Sequence, residues 1–330
     1  DKKKVDFEKI YRSSYKFEGN SGRDMNYAIL NMVADKLSQI VGGCADVAHS
    51  TKAFIENGGY YSVANRRGRN IHFGVREHAM AGICNGIALY EDFVPFCSTF
   101  LSFANYMLPS IRLACSMKLK VLYFFSHDSI MVGKDGISHQ PIEQLSQLRS
   151  LIGMTVFRPC DQNELVAGYN CALNYNGPYS IILSRQKLES VDGKYKDAMQ
   201  GGYILRPAKS QADIVLFASG SEVALALKIA DELSKKYDVS VVSMPSIELF
   251  ERQTQSYKNK VLQKNAILRV AIEASNDNIW YKYVGDNGLF IGVENYQSSG
   301  EGEQVYRKAG FNEKEIIRTI NRKMSEKGNK

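Results

Sequence analysis

Short apolar runs alternate with longer amphipathic stretches from the start of the chain to about Arg185. The runs SQIVGGCA (38–45), IHFGV (71–75), FVPFCS (93–98), KVLYFFS (120–126), MTVFRP (154–159) and YSIILS (179–184) read as strands. They are continuous rather than alternating, the mark of parallel strands covered on both faces. Between them, Arg23–Leu37, Glu77–Leu89, Phe103–Met117, Gln140–Ser150 and Gln162–Asn174 carry helix-like patterns. The β/α alternation predicts a doubly wound, mostly parallel sheet. Residues 187–209 are polar, contain the clusters DGKY and QGGY, and predict an interdomain linker with short strand pieces. A second α/β pattern follows: DIVLFAS (213–219), a helix over Glu222–Lys236, VSVVSM (239–244), AILRVAIEA (266–274) and LFIGVEN (289–295). The expected fold is therefore α/β, two consecutive doubly wound, mostly parallel sheet domains. The expected division is 1–20 an N-terminal extension, 21–186 the first domain, 187–209 the linker and 210–330 the second domain.

The length of 330 residues agrees with about two domains at roughly 150 residues each. No apolar run reaches the ~18 residues of a membrane-spanning helix, so no membrane partner is expected. The net charge of +7 changes the picture only through its location. Residues 307–330 hold eight basic and three acidic side chains, +5 of the total, in a stretch (EKEIIRTINRKM) that reads as a solvated helix. That leaves no basic face for nucleic acid. The six cysteines form no C-x-x-C pair and no metal-ligand spacing, which suggests reduced, buried thiols and a cytoplasmic location. The polar start DKKKVDFEKI is not a targeting segment, and its first residue is not Met, as expected of a processed or truncated chain.

All five histidines lie in the first half, which directs the search for acid–base chemistry there. In an open parallel sheet, ligands bind beyond the carboxyl ends of the strands. Those ends deliver Asp46 and Ser50, Glu77, Thr99 and Phe100, His127, and Arg185. Glu77 opens the apolar helix EHAMAGICNGIAL. It reads either as a first-turn acid favoured by the helix dipole or as a carboxylate able to share a proton with a bound heterocycle. Phe100, Phe103 and Tyr106, spaced by three, form an aromatic stripe: core packing, or a wall on which a flat ring stacks. His127 and His139 flank a loop with two glycines and Asp135, suited to proton transfer or anion binding. Arg23 at a helix start and Arg185 after SIILS are capping arginines or phosphate ligands. Gly285-Asp286-Asn287 only faintly resembles a metal-diphosphate motif.

The blocks HFGVREHAMAGICNGIAL, STFLSFANYMLPSIRLA, FFSHDSIMVGKDGISHQPIEQLSQLRS, TVFRPCDQNE and SIILSRQ, in this order, resemble the transketolase family. The resemblance runs from about Arg23 to about Gly288 and covers the family's pyrimidine-binding and C-terminal domains. It implies thiamine-diphosphate-dependent ketol transfer between sugar phosphates in the pentose phosphate pathway. It matches Glu77 to the glutamate at the aminopyrimidine ring, Phe100, Phe103 and Tyr106 to its aromatic pocket, and Asp46 to an acid near the cofactor. It matches His127, Asp135 and His139 to sugar-binding residues, with His127 and His139 in catalytic roles, and Arg23, Ser50, His127 and Arg185 to groups holding the terminal phosphate. The family's diphosphate-binding N-terminal domain, with its G-D-G…N motif and Mg or Ca ion, has no counterpart in these 330 residues. The expectation is a chain inactive alone that needs an N-terminal half, in a homodimer or heteromer. Lys134 stands where an acid is common, and ENYQSSGEGEQ (294–304) replaces a more hydrophobic segment of the small domain, expected to lie away from the chemistry. Two other readings are a 1-deoxyxylulose-5-phosphate synthase-like enzyme, whose relatives usually show an aspartate–arginine pair at His127-Asp128, and a non-catalytic module that has kept the fold.

Overall fold

The apolar runs become strands that stop close to their first polar residues. In the computed structural model, which describes residues 5–90 and 92–328, the strands of the first unit are β1 Ile40–Cys44, β2 Asn70–His72, β3 Val94–Phe100, β4 Leu122–Ser126, β5 Thr155–Phe157 and β6 Tyr179–Leu183. They form one sheet in the order β2-β1-β3-β4-β6-β5, and every pairing is parallel. β4 and β6 are buried along their whole length, as continuous apolar runs require. The helices Gly22–Ala34, Glu77–Leu89 and Gln162–Asn174 fall where the periodicity puts them. Ser21 and Asp161 cap two of them, accepting from the N–H groups of Asp24 and Glu164. Two apolar clusters, one on each face of the sheet, form the core of this unit.

One helix differs from expectation. Residues 103–117 are not a single α-helix: a 3-10 helix spans Leu101–Met107, and the α-helix Leu108–Met117 begins with Pro109 in its first turn. Phe100 ends β3 instead of following it.

The second unit has β7 Tyr203–Arg206, β8 Ile214–Ala218, β9 Val239–Ser243, β10 Leu268–Ile272 and β11 Leu289–Ile291 in the order β11-β10-β8-β9-β7. All pairings are parallel except β7 with β9. The polar stretch 187–209 is thus more than a connector. Leu188, Tyr195 and Ala198 pack into the first unit's core, and β7 closes an edge of the second sheet. In the expected extension, residues 1–4 lie outside the described residues; Phe7 and Ile10 of the helix Phe7–Ser13 are buried in the first core. In the basic tail, Lys330 lies outside the described residues. The helix Glu313–Gly328 buries Ile316, Ile320 and Met324, one side of a polar helix.

A buried ionic network joins the units. Arg158, just beyond β5 and fully buried, donates to Asp128 Oδ2 (2.7 Å from Nη2) and to the Ser219 carbonyl (2.9 Å), and pairs with Glu222 at the head of the helix Glu222–Leu233. Gly220 makes the approach possible: a Cβ there would lie 2.8 Å from the Arg158 side chain, and its φ is +54°. Arg149 grips Glu273 through both terminal nitrogens (2.8 and 2.9 Å) and reaches Asp277 (2.8 Å). Burial would raise the Glu273 pKa, but Arg149 and Arg158 hold it well below the carboxylate range. Among the described residues no helix is long and apolar enough to cross a membrane.

Candidate active site

In the first sheet the strand order reverses at β1, between β2 and β3, which opens a crevice at the carboxyl ends. β3 delivers Phe100 there and β4 delivers His127. His127 follows β4 with φ +61°, a left-handed turn that directs its buried imidazole under the crevice. The ring stacks on Phe100 with centroids 3.8 Å apart, and Nδ1 is hydrogen-bonded to Ser126 Oγ at 2.9 Å. Phe103 also stacks on Phe100, at 5.6 Å between centroids. His139 closes the cluster, edge-on to Phe103 at 5.2 Å and tilted to Phe100 at 5.8 Å, with its Nδ1 2.9 Å from Ser138 Oγ. The spacing of three has a specific cause: on a 3-10 helix of three residues per turn, Phe103 and Tyr106 share one face. Tyr106 tilts against Phe103 at 6.2 Å and is largely exposed.

Arg23 and Arg185 meet because the helix start Gly22 docks on the end of β6, where its N–H donates to Ser184 Oγ (2.8 Å) and that of Arg23 to the Ser184 carbonyl (3.2 Å). Arg23 Nη1 donates to the carbonyl of Ser50 (2.8 Å), so Ser50 contributes its backbone. Arg23 Nε is a buried donor with no hydrogen-bond partner among the described residues. Arg185 Nη1 donates to the Val132 carbonyl (3.1 Å). Burial, then the charges of Arg23, Arg185 and His139, push the His127 pKa down to about 3. A buried neutral imidazole beside two arginines is a site short of negative charge, and an anion is the complement.

Glu77 begins its helix and its side chain has no hydrogen-bond partner among the described residues. That helix packs on the 3-10 segment bearing Phe103. Asp46, two residues beyond β1, has φ +60° and is exposed; Asp135 is exposed in the 3-10 turn Ile130–Asp135. His72 stacks on Tyr60 (4.4 Å) and His78 lies 3.3 Å from Ser110 Oγ, both outside the cluster.

One expectation is overturned. The segment 294–304 does not lie away from the candidate chemistry: it rests on the loop that carries Asp135 and His139. Gln140 is hydrogen-bonded twice to the Gln297 backbone, Ser299 Oγ donates to the Lys134 carbonyl (2.7 Å), and Lys134 pairs with Glu301 (2.6 Å). Lys134, in place of an acid, thus finds a carboxylate on the second unit. Sequence reasoning also missed Ser126, Ser138 and the pairing of Asp128, the residue after His127, with Arg158. The only local signal for that pair was an arginine at the end of an apolar run. Gly285-Asp286-Asn287 follows the helix Trp280–Val284, on the second unit. Among the described residues no group of three or more His, Cys, Asp or Glu is arranged for a metal ion.

Two family models match the chain: the transketolase pyrimidine binding domain over residues 21–190 and the transketolase-like C-terminal domain over residues 201–312. A transketolase of Halalkalibacterium halodurans is 42% identical over 294 residues, which covers 87% of this chain and 44% of the relative. A crystal structure of transketolase from Campylobacter jejuni superposes with a TM-score of 0.87 at 40% identity, covering 96% of this chain and 49% of that one. A structure described as a split gene transketolase, inactive beta4 tetramer, shares the fold along nearly its whole length: TM-score 0.73, 23% identity, 93% of this chain and 99% of that one. The chain spans about half the length of the curated relatives it matches.

Proposed function

Because the chain belongs to the transketolase family, we propose that it supplies the pyrimidine-binding half of a thiamine-diphosphate site that transfers two-carbon ketol units between sugar phosphates, as in the pentose phosphate pathway. The half of the relatives' length that this sequence does not span would bind the diphosphate and its Mg or Ca ion. The observation that carries the reading is the ring cluster of Phe100, Phe103, His127 and His139 beside two arginines.

The residues fit the cofactor. Phe103, half-buried, offers an apolar surface to a flat ring, and the unpartnered carboxylate of Glu77 is available to a ring nitrogen. The buried, unpaired Nε of Arg23 and the neutral imidazole of His127 suit a phosphate monoester, with Arg185 at its exposed side. When bound, thiamine diphosphate supplies the electron sink needed to break a carbon–carbon bond next to a ketose carbonyl. The protein's part is positional and protonic. Glu77 holds a proton at the aminopyrimidine nitrogen, Phe100 and Phe103 fix the plane of the ring, and His139 moves a proton at the sugar oxygen. Arg23, oriented by the Ser50 carbonyl, retains the phosphate together with Arg185 and His127, so that donor and acceptor sugars occupy the same register. Asp46 and Asp135, exposed at the rim, complete the cofactor and sugar contacts respectively.

An assembly is part of this reading. Ala79, Gly82, Ile83 and Gly86 line the exposed side of the Glu77–Leu89 helix, next to exposed Leu113 and Met117 of the helix Leu108–Met117. An apolar face of this kind beside a site is an interface for another protein surface. The six cysteines are all free thiols, which supports a cytoplasmic setting.

The test mixes this chain with the half that completes the relatives' length, adds thiamine diphosphate and magnesium, and assays xylulose 5-phosphate with ribose 5-phosphate. The mixture turns over and the chain alone does not. Glu77→Ala lowers the mixture's rate by roughly 10² to 10⁴. Robust turnover by the chain alone, or an unaffected Glu77→Ala mixture, overturns the proposal. Turnover of pyruvate would favour a deoxyxylulose-phosphate synthase instead.

A further inference from the structure

The loop that presents His139 is held from the second unit. Gln140, the next residue, is 2% exposed, and its amide is taken up by the second unit. Nε2 donates to the Gln297 carbonyl (2.8 Å) and Oε1 accepts from the Gln297 N–H (2.9 Å). One side chain thus satisfies both backbone groups of a residue 157 positions away, as a strand neighbour would. Nearby, two glycines bring the backbones into contact. A Cβ on Gly133 would lie 2.8 Å from Gly302 N and 2.9 Å from Gly300 O, and one on Gly302 would lie 2.7 Å from Met131 O. Ser299 Oγ donates to the Lys134 carbonyl (2.7 Å), and the Asn276 N–H donates to the Ile142 carbonyl (2.8 Å). Between Met131 and Ile142 the loop therefore meets the second unit at four points.

Its ties to its own unit are fewer: the Arg185 bond to Val132 and the contacts of the His139 ring with Phe100 and Phe103. The His139 imidazole has one polar partner, the adjacent and exposed Ser138. Among the described residues no hydrogen bond ties the His139 ring to the first sheet, whereas the next residue, Gln140, is pinned by two. Consecutive Cα atoms are ~3.8 Å apart, so a shift at Gln140 reaches His139 almost undiminished.

We propose that Gln140 is a positioning residue for His139, and that the second α/β unit serves the site by clamping this loop through the segment 296–302. The proposal rests on the reading of His139 as the group that moves a proton at the sugar. It gives the second unit a task in catalysis although none of the candidate site residues lies on it. The clamp is specific to an amide. Glutamate at position 140 keeps the acceptor for Gln297 N–H and loses the donor, and methionine keeps the bulk and loses both.

The experiment has two arms. In the first, the chain is labelled in its histidine rings, and the His139 signal is identified as the one missing in His139→Asn. Gln140→Met and Gly302→Val are expected to shift and broaden that signal while those of His72 and His78 stay in place. Gln140→Glu gives a smaller shift. Thermal unfolding of each variant checks that it remains folded, and Gln140→Met, which conserves volume, serves if Gly302→Val does not. In the second arm, the completed assembly carrying Gln140→Met is expected to show a fall of roughly tenfold or more in kcat/KM for the sugar phosphates, with thiamine diphosphate affinity unchanged, because Glu77 and Phe103 are untouched. A His139 signal identical to wild type in folded Gln140→Met overturns the proposal. A displaced signal in an assembly whose His139→Asn variant keeps full turnover upholds the clamp and overturns the role assigned to His139, so the two failures are separate.

Discussion

The imidazole of His127 lies face to face with Phe100, 3.8 Å between centroids and 29° between planes, in a site that also gathers Arg23 and Arg185. The folded state takes up the His127 proton near pH 3, whereas an ordinary histidine does so near 6.5. Between these values the unfolded chain binds more protons. The contribution of His127 to stability is therefore complete above pH 6.5 and is lost as the pH falls to about 3. The slope is at most about 1.4 kcal/mol per pH unit for one group. Because Asp161 titrates in the opposite sense over the same range, the comparison is between chains: from pH 7 to pH 4 the urea unfolding midpoint of His127→Asn should rise relative to that of wild type. An unchanged slope in the variant would sink the assignment.

Arg158 links the units by pairing with Asp128 of the first and Glu222 of the second. Replacing it with methionine strands Asp128 and Glu222 in the interior, and loss of one partner from a buried pair costs about 3–5 kcal/mol. Lysine is a poor substitute, because three different guanidinium nitrogens are engaged with Asp128, Glu222, Ser219 and Ser221. Chemical denaturation should show a large drop in midpoint for both variants, greater for methionine.

A second buried acidic pair acts in the opposite sense to His127. Burial, then the neighbouring Glu164, raises the Asp161 pKa to about 7, and Glu164 is itself raised by burial. Here the folded state holds the extra proton, so stability declines as the pH rises from about 4 to about 7. Glu164 accepts from the Cys160 N–H (2.8 Å), the Tyr203 hydroxyl (2.9 Å) and Ser243 Oγ (2.6 Å). Glutamine can keep the first bond and donate to the two hydroxyls once they turn. Glu164→Gln is therefore expected to be more stabilising at pH 8 than at pH 5 by thermal unfolding. Equal effects at both values would show that the pair does not repel.

The apolar face predicts behaviour in solution. Ile83 and Leu113 are about half exposed, so Ile83→Lys with Leu113→Glu should leave the unfolding midpoint nearly unchanged, as surface changes usually do within about 0.5 kcal/mol. Sedimentation should show wild-type association that the double variant loses.

What the sequence revealed and what it hid divide by distance along the chain. The helices Glu77–Leu89 and Gln162–Asn174 were legible to the residue, because a local period marks them at both ends. The parallel strands were legible as unbroken apolar runs. The aromatic spacing around Phe103 was legible but its helix type was not, since a period of three suits a 3-10 turn and an α-helix over so short a span. Hidden were the contacts of long separation: Arg158 with Glu222, and Gln140 with Gln297. Neither glutamine carries any local sign of its partner, and that is why the segment 294–304 was expected to lie far from His139.

Tyr203 opens the edge strand of the second sheet while its ring packs, 2% exposed, among the apolar side chains of the first unit. Its hydroxyl donates to Glu164 and accepts from the Lys194 N–H. The seam between the units therefore runs through a shared side chain rather than through open chain. A chimera joining the front of one relative to the back of another would keep this hydrogen bond only if Glu164 and Tyr203 matched each other across the junction.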